Sequence, residues 1–365
     1  MASLTKTLYF HIGHFKTGTS AIQAFMAANA QRLARLGITY PELHQHYAKH
    51  SDLAFAIYRA AKVTTLMHGY CSDVRPEKVW DAMIAAAQAD PAPITVISSE
   101  EFMRMGAHPQ AVDILRNLGR RPRAGVDIRI AAWLRAPDAH LRSWYNQLVK
   151  MQVALPDYNT TVRQVIEPVH YDYALALRPW VDIFGADAVQ VYPYCDALRE
   201  GHRMYEDFLL ALGIDMGGKL DRWWFPEADT NPRLDDRLVE LTRIMHTCGL
   251  TDQDIAWAHE RASKQFEAEM RYARPEPRSF DTVASRAAAG LDYVADLPGN
   301  RVDVSLFRQN VPMPNDPLQA EMTRFLGLLI DDVQGLRLRL HQRISEVDQR
   351  VTALESMLRA NVRSK

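Results

Sequence analysis

The start of the chain constrains the fold most. Thr7 to Gly13, TLYFHIG, is a β-branched and aromatic run that stops at glycine, and HFKTGTS follows it. A short continuous apolar run of this kind reads as a strand buried on both faces. Behind the loop, Ile22, Phe25, Met26, Leu33 and Leu36 recur at helical spacing. Thr19 or Ser20 would be the N-cap and Gly37 the terminator. Strand, glycine loop and helix in that order open an α/β fold. The helix would aim its unpaired N–H groups and partial positive charge at the loop.

Further strands are legible at Ile94–Ser98, Ile128–Leu134 and Val189–Tyr192, with helical patterns at 77–89, 110–118, 139–151 and 203–212 between them. Alternating strands and helices imply a parallel sheet covered on both faces, with ligands at the carboxyl ends of its strands. The expected architecture is a P-loop-like three-layer α/β/α domain over residues 1–316, followed by a helical C-terminal extension over 317–365. Within the first part, 213–316 reads as irregular and mostly helical. Trp223-Trp224-Phe225-Pro226 looks like an aromatic-anchored loop there, and Pro275, Pro277, Pro298, Pro312 and Pro314 punctuate the rest.

Composition excludes several classes. With 365 residues, 47% hydrophobic and a net charge of −1, the chain is neither disordered nor a polyelectrolyte, so no nucleic-acid partner is expected. Cys71, Cys195 and Cys248 are far apart and odd in number, which indicates neither a zinc site nor a disulfide framework. The first residues hold no secretory apolar core, and no stretch approaches the ~20 apolar residues of a membrane span. The expectation is a cytoplasmic protein without an integral membrane segment.

The loop carries the chemistry. Gly18 lets the backbone approach an anion, Lys16 brings a mobile full charge, and Thr17, Thr19 and Ser20 bring hydroxyls. Residues 1–41 hold Lys6, Lys16, Arg32 and Arg35 with no Asp or Glu, so the local field favours phosphate although the whole chain is near neutral. A true P-loop places Lys directly after its second Gly. Here Thr19 stands in that place and Lys16 lies two residues before Gly18. No acidic residue at a strand end is obviously placed to hold Mg²⁺. A second constellation is WLRAPDAHLRSWYNQ, in which Arg135 stands at a strand end, Pro137 turns the chain, and Ser143 lies eight residues on in the next helix. Such an Arg and Ser can converge on one phosphate, as a fork and a short donor.

Together these segments resemble the sulfotransferases that use 3′-phosphoadenosine 5′-phosphosulfate (PAPS). HIGHFKTGTS with IQAFMAANAQRLARLGITYP looks like their 5′-phosphosulfate loop and helix, Arg135 and Ser143 match their 3′-phosphate motif in spacing, and DFLLALGI is similar to a common segment. The likeness covers roughly residues 7–215 and is closer to bacterial members acting on carbohydrate or lipid-linked acceptors. It implies that Lys16, Thr17, Gly18, Thr19 and Ser20 hold the 5′-phosphosulfate and that Arg135 and Ser143 hold the 3′-phosphate. PAPS would be a co-substrate, the partner a hydroxyl-bearing carbohydrate or glycolipid acceptor, and no metal is expected.

Sulfuryl transfer needs in-line geometry and stabilisation of the leaving oxygen, a task assigned to Lys16. The acceptor hydroxyl needs a base near the sheet's carboxyl edge. Glu100 and Glu101 follow the strand ITVISS and are the candidates, Glu100 first; the alternative is that one of them caps the next helix or pairs with Arg104. His11 reads as a core imidazole and His14 as a loop residue near the donor. His44, His46 and His50 cluster after Pro41 without a third-ligand pattern. Trp144, Tyr145, Tyr192, Trp223 and Trp224 could line an acceptor groove or pack the core. Two other readings compete: a P-loop-like kinase or nucleotide hydrolase using ATP and Mg²⁺, and an inactive nucleotide-binding scaffold that oligomerises.

The last stretch, about Leu318 to Arg359, has no Pro and two Gly. Leu326, Ile330, Val333, Leu340, Ile344, Val347, Val351, Leu354 and Leu358 follow alternating steps of four and three, with Arg337 in the one polar slot. That is a narrow heptad seam with charged flanks, which suggests a homo-oligomer through 326–358, the alternative being an amphipathic helix on its own domain.

Overall fold

A computed structural model describes residues 5–65, 73–220, 222–226, 234–269, 281–313 and 317–363. Cys71, Pro275, Pro277 and Pro314 lie outside these residues. The strands are β1 Lys6–His11, β2 Ile38–Thr39, β3 Ile94–Ser98, β4 Val126–Leu134, β5 Val189–Pro193 and β6 Gly299–Asn300. The α-helices, in chain order, are α1 Thr19–Ala28, α2 Ala30–Arg35, α3 Asp52–Ala60, α4 Pro76–Ala89, α5 Pro109–Gly119, α6 Pro137–Lys150 and α7 Tyr158–Gln164. They continue with α8 Tyr173–Phe184, α9 Arg203–Ala211, α10 Asp236–Thr247, α11 Asp252–Glu269, α12 Asp281–Ala295, α13 Val304–Arg308 and α14 Pro317–Arg363.

The six strands form one sheet in the order β2-β3-β1-β4-β5-β6, and every pairing is parallel. β1 is central, with Tyr9 opposite Val96 on one side and Arg129 on the other. Its last four residues are buried, as a strand covered on both faces requires. One core packs Leu8, Phe10 and Ile12 against Trp80, Phe102 and Trp180; the other packs Tyr9, Phe25, Trp133 and Phe208. Each fully buried large apolar side chain contributes roughly 1.5–3 kcal/mol. The α/β expectation thus holds, with an all-parallel sheet between two helical layers.

Local chemistry explains where elements begin. Pro76 and Pro109 open α4 and α5, where the missing N–H costs nothing. Pro137, expected only to turn the chain, is likewise the first residue of α6. The helix expected from Ser20 to Leu36 is two helices, α1 and α2, that meet at Asn29. Asn29 Nδ2 donates to Phe25 O and to Trp224 O, and Trp224 N donates back to Asn29 Oδ1, each within 3.0 Å. This anchors the aromatic loop on α1, where Trp223 stacks on Phe25 at 5.3 Å.

The chain divides into two units. One comprises Met1–Trp144, Val162–Pro232 and Arg278–Met313 and contains the whole sheet; the other comprises Tyr145–Thr161, Arg233–Pro277 and Pro314–Lys365. The first unit therefore takes part of the segment expected to be irregular. There β6 adds a sheet edge at Gly299, where a β-carbon would lie 2.3 Å from Val189 O, and α12 packs on α8. A two-residue strand leaves no periodic signal to find. The second unit sets α10 against α11 and α14, with Arg337 donating to Asp254 Oδ1 at 2.7 Å. Among the described residues no helix is long and apolar enough to cross a membrane.

Candidate active site

Four connections leave the carboxyl ends of neighbouring strands: Ser99–Glu101 after β3, Gly13–Gly18 after β1, Arg135 after β4 and Tyr194–Asp196 after β5. The chain leaves β1 toward β2 and leaves β4 toward β5, so the ends of β1 and β4 frame a topological switch point, where ligands of such sheets bind.

The loop after β1 is stitched to β4, since Trp133 N donates to Gly13 O at 2.6 Å and His14 N to Trp133 O at 2.9 Å. Gly13 has φ +90°, and a β-carbon there would sit 2.9 Å from Glu100 Cβ, so the loop lies directly against the turn that carries Glu100. Lys16 adopts φ +61°, a left-handed conformation uncommon for a residue with a side chain. Gly18, at φ +78°, is the N-cap of α1, in place of the expected Thr19 or Ser20, and no side chain caps the helix. The first intrahelical bonds run from Ala21 and Ile22 to Gly18 O, which leaves the N–H groups of Thr19 and Ser20 without intrahelical partners.

The hydroxyls behave differently from one another. Thr17 and Thr19 are buried and both donate to His14 O, at 2.6 and 3.0 Å. They brace the loop from within rather than pointing a proton outward. Ser20 is exposed at the first turn of α1, and Lys16 is half-buried. Of the three hydroxyl residues of the loop, only Ser20 is exposed.

Arg135 is buried. Its Nη2 donates to both carboxylate oxygens of Asp196, at 2.7 and 2.9 Å, while Nη1 is buried without a hydrogen-bond partner. The Tyr173 hydroxyl fixes the backbone by donating to Arg135 O at 2.5 Å. The guanidinium lies 5.7 Å from the Tyr194 ring centre, and a β-carbon at Gly18 would approach the same ring within 3.4 Å. Tyr194 thus links the two constellations. Ser143 is buried on α6. No local spacing signals Asp196 or Tyr194, which lie about sixty residues from Arg135.

The two glutamates separate. Glu100 accepts from Lys49 Nζ at 2.8 Å and from Gln23 Nε2 of α1 at 3.1 Å. Burial pushes its pKa up, but the charge and hydrogen bond of Lys49, helped by Gln23, more than cancel this and leave it below the ordinary value. Glu101 turns into the interior, with neither carboxylate oxygen hydrogen-bonded and Arg104 4.0 Å away. Burial, then the charge of Glu100, raises its pKa to about 7. Arg104 donates instead to Glu167, at 2.6 and 2.7 Å, and to Thr65 O at 3.0 Å. Lys49 comes from the loop after Pro41, the segment that also carries His44, His46 and His50.

His11 is a core imidazole, edge-on to Trp133 and held neutral by burial, with its pKa lowered to about 3. His50 Nε2 donates to Pro41 O at 2.8 Å while its Nδ1 accepts from Ser98 N, and His44 pairs with Asp52. His14 faces inward, because its Nδ1 accepts from Phe15 N at 2.8 Å and its Nε2 therefore donates to Val169 O at 2.9 Å. It joins His140 of α6 and His170, whose rings share a hydrogen bond of 3.1 Å, in a buried trio with ring nitrogens within 4.8 Å. Burial, then neighbouring imidazoles, keeps the pKa of His140 and His170 well below the ordinary value. Lys16 and Arg135 add positive charge at His140. The trio packs beneath the loop as neutral rings. Trp144, stacked on His170 at 4.6 Å, belongs to this packing and Tyr192 to the core, whereas Trp224 is exposed.

No protein-family profile matches the chain, and no curated protein matches it. Among solved structures it is similar to a sulfotransferase from Alicyclobacillus acidocaldarius, at 16% identity over 68% of this chain and 98% of that one, with a TM-score of 0.36. It is also similar to the sulfotransferase domain of the Synechococcus PCC 7002 olefin synthase, at 14% identity over 74% and 95% of the two chains, with a TM-score of 0.27.

Proposed function

We propose that the protein is a PAPS-dependent sulfotransferase that transfers the sulfuryl group to an acceptor hydroxyl on a carbohydrate or lipid-linked glycan. The observation that carries this reading is the buried, unpartnered Nη1 of Arg135 at the switch point, beside a glycine loop whose helix opens with unpaired N–H groups. A buried donor without a partner is costly, and a phosphate oxygen would satisfy it. Two anion-seeking groups on adjacent strands suit a nucleotide with phosphates at both its 3′ and 5′ positions.

Arg135, with Ser143, takes the 3′-phosphate; exposed Asp196 occupies the guanidinium in the meantime. Ser20 and the first-turn N–H groups of α1 hold the 5′-phosphosulfate, and Thr17 and Thr19 keep the loop in shape. The S–O bond to the phosphate breaks as the bond to the acceptor oxygen forms. Lys16 neutralises the departing phosphate oxygen, and Glu100 receives the hydroxyl proton. The sulfuryl group carries less charge than a phosphoryl dianion, so a lysine and a helix N-terminus meet its electrostatic demand.

Thermal unfolding with added nucleotide tests the donor. 3′,5′-Adenosine bisphosphate at 100 times its dissociation constant is expected to add ~2.7 kcal/mol, and ATP with Mg²⁺ far less. Stabilisation by the triphosphate alone would return the kinase reading. Calorimetric titration tests the 3′ site. Arg135→Ala is expected to weaken the bisphosphate on the order of 10- to 100-fold and leave 5′-AMP nearly unchanged. Equal losses for both nucleotides would remove Arg135 from that role.

A further inference from the structure

We infer that the C-terminal half of α14 is a parallel, in-register, two-stranded coiled coil with a second copy of this chain. Residues 337–357 are all exposed, a helical stretch of about 30 Å. Along it Leu340, Ile344, Val347, Val351 and Leu354 keep the alternating step of four and three, and each is 47–60% exposed. A single helix of this length is marginal in water, and an apolar seam along it is covered only by a partner with the same repeat. Leu358, the last member of the seam, lies outside the described side chains.

The flanking charges choose the orientation. With Leu340, Val347 and Leu354 at d, the a positions are Ile344 and Val351; β-branched residues at a favour two strands. The g positions are then Arg343 and Arg350, and the e positions of the following heptads are Asp348 and Glu355, all four exposed. In a parallel pair each g residue meets the partner's e residue five positions on, so Arg343 faces Asp348 and Arg350 faces Glu355 on both sides of the seam. An antiparallel pair would set arginine against arginine and carboxylate against carboxylate. Arg337, the polar residue at a, is engaged with Asp254 of its own unit at the N-terminal end of this exposed stretch.

The test uses the full chain in sedimentation equilibrium and light scattering. The wild type is expected at twice the chain mass. Arg343→Glu with Arg350→Glu should weaken the dimer on the order of 10- to 100-fold, since attraction becomes repulsion on both flanks. Adding Asp348→Arg and Glu355→Arg to the same chain should restore it, which a merely unstable helix would not show. With the three native cysteines replaced by serine, Val351→Cys should give a disulfide-linked dimer on mild oxidation, because only the parallel register sets residue 351 against itself. A monomer at every concentration would overturn the inference and give the stripe to some other partner. A dimer indifferent to the charge reversal, or one without the cross-link, would overturn the parallel pairing.

Discussion

Lys16→Ala is expected to lower kcat on the order of 10²–10³-fold while the affinity for unreacted PAPS, measured without acceptor, changes by no more than a few-fold. The argument is one of differential binding. The bridging oxygen gains its charge only as the S–O bond breaks, so an ammonium aimed there stabilises the transition state more than the bound nucleotide. The backbone supplies an internal control. Lys16 sits at φ +61°, where a β-carbon is strained and glycine is not. Lys16→Gly should therefore lose as much activity as Lys16→Ala yet melt at a higher temperature than it, by an amount corresponding to about 1 kcal/mol. If both variants lost PAPS affinity in step with kcat, Lys16 would be an anchor of the ground state and its assigned role would fall.

The same loop shows what a sequence can and cannot disclose. The apolar run of β1, the glycines and the helical spacing after them are local signals, and the strand, the loop and α1 stand where they imply. Strands β3, β4 and β5 were legible for the same reason. What a single chain does not disclose is where a side chain spends its hydrogen bonds. Thr17 and Thr19 read as phosphate ligands from their place in the motif, but both hydroxyls turn inward to His14 O. Asp196, which holds Arg135, and Lys49, which holds Glu100, come from segments 61 and 51 residues away, and no spacing announces them. The histidine trio is assembled from the β1 loop, α6 and a short turn before α8, so none of its members predicts the others. Elements set by tertiary pairing alone escaped for a related reason. β2 and β6 are two residues each, and α8 carries Pro179 inside it, a residue that argues locally against a helix.

Glu100→Gln is expected to reduce kcat/KM about 10²–10⁴-fold, and the pH profile decides whether the loss is that of the base. The carboxylate must be ionised to accept the hydroxyl proton. Burial alone would raise its pKa; Lys49 reverses this and holds it below the ordinary carboxylate value of about 4.3. The wild-type acid limb should therefore lie below that pH, with activity level from there toward neutrality. Lys49→Met removes the ammonium but not the burial, so desolvation acts unopposed and the pKa must rise. The variant's acid limb should move upward, and its activity relative to wild type should be lower at pH 5 than at pH 7. Glu101 provides the contrast, because its pKa is raised to about 7 by burial and by the charge of Glu100. A wild-type limb near pH 7 would transfer the base's role to Glu101. A limb that stays put in Lys49→Met would remove Glu100 from it, since no group whose ionisation controls the rate could lose its neighbouring cation in a buried site without shifting.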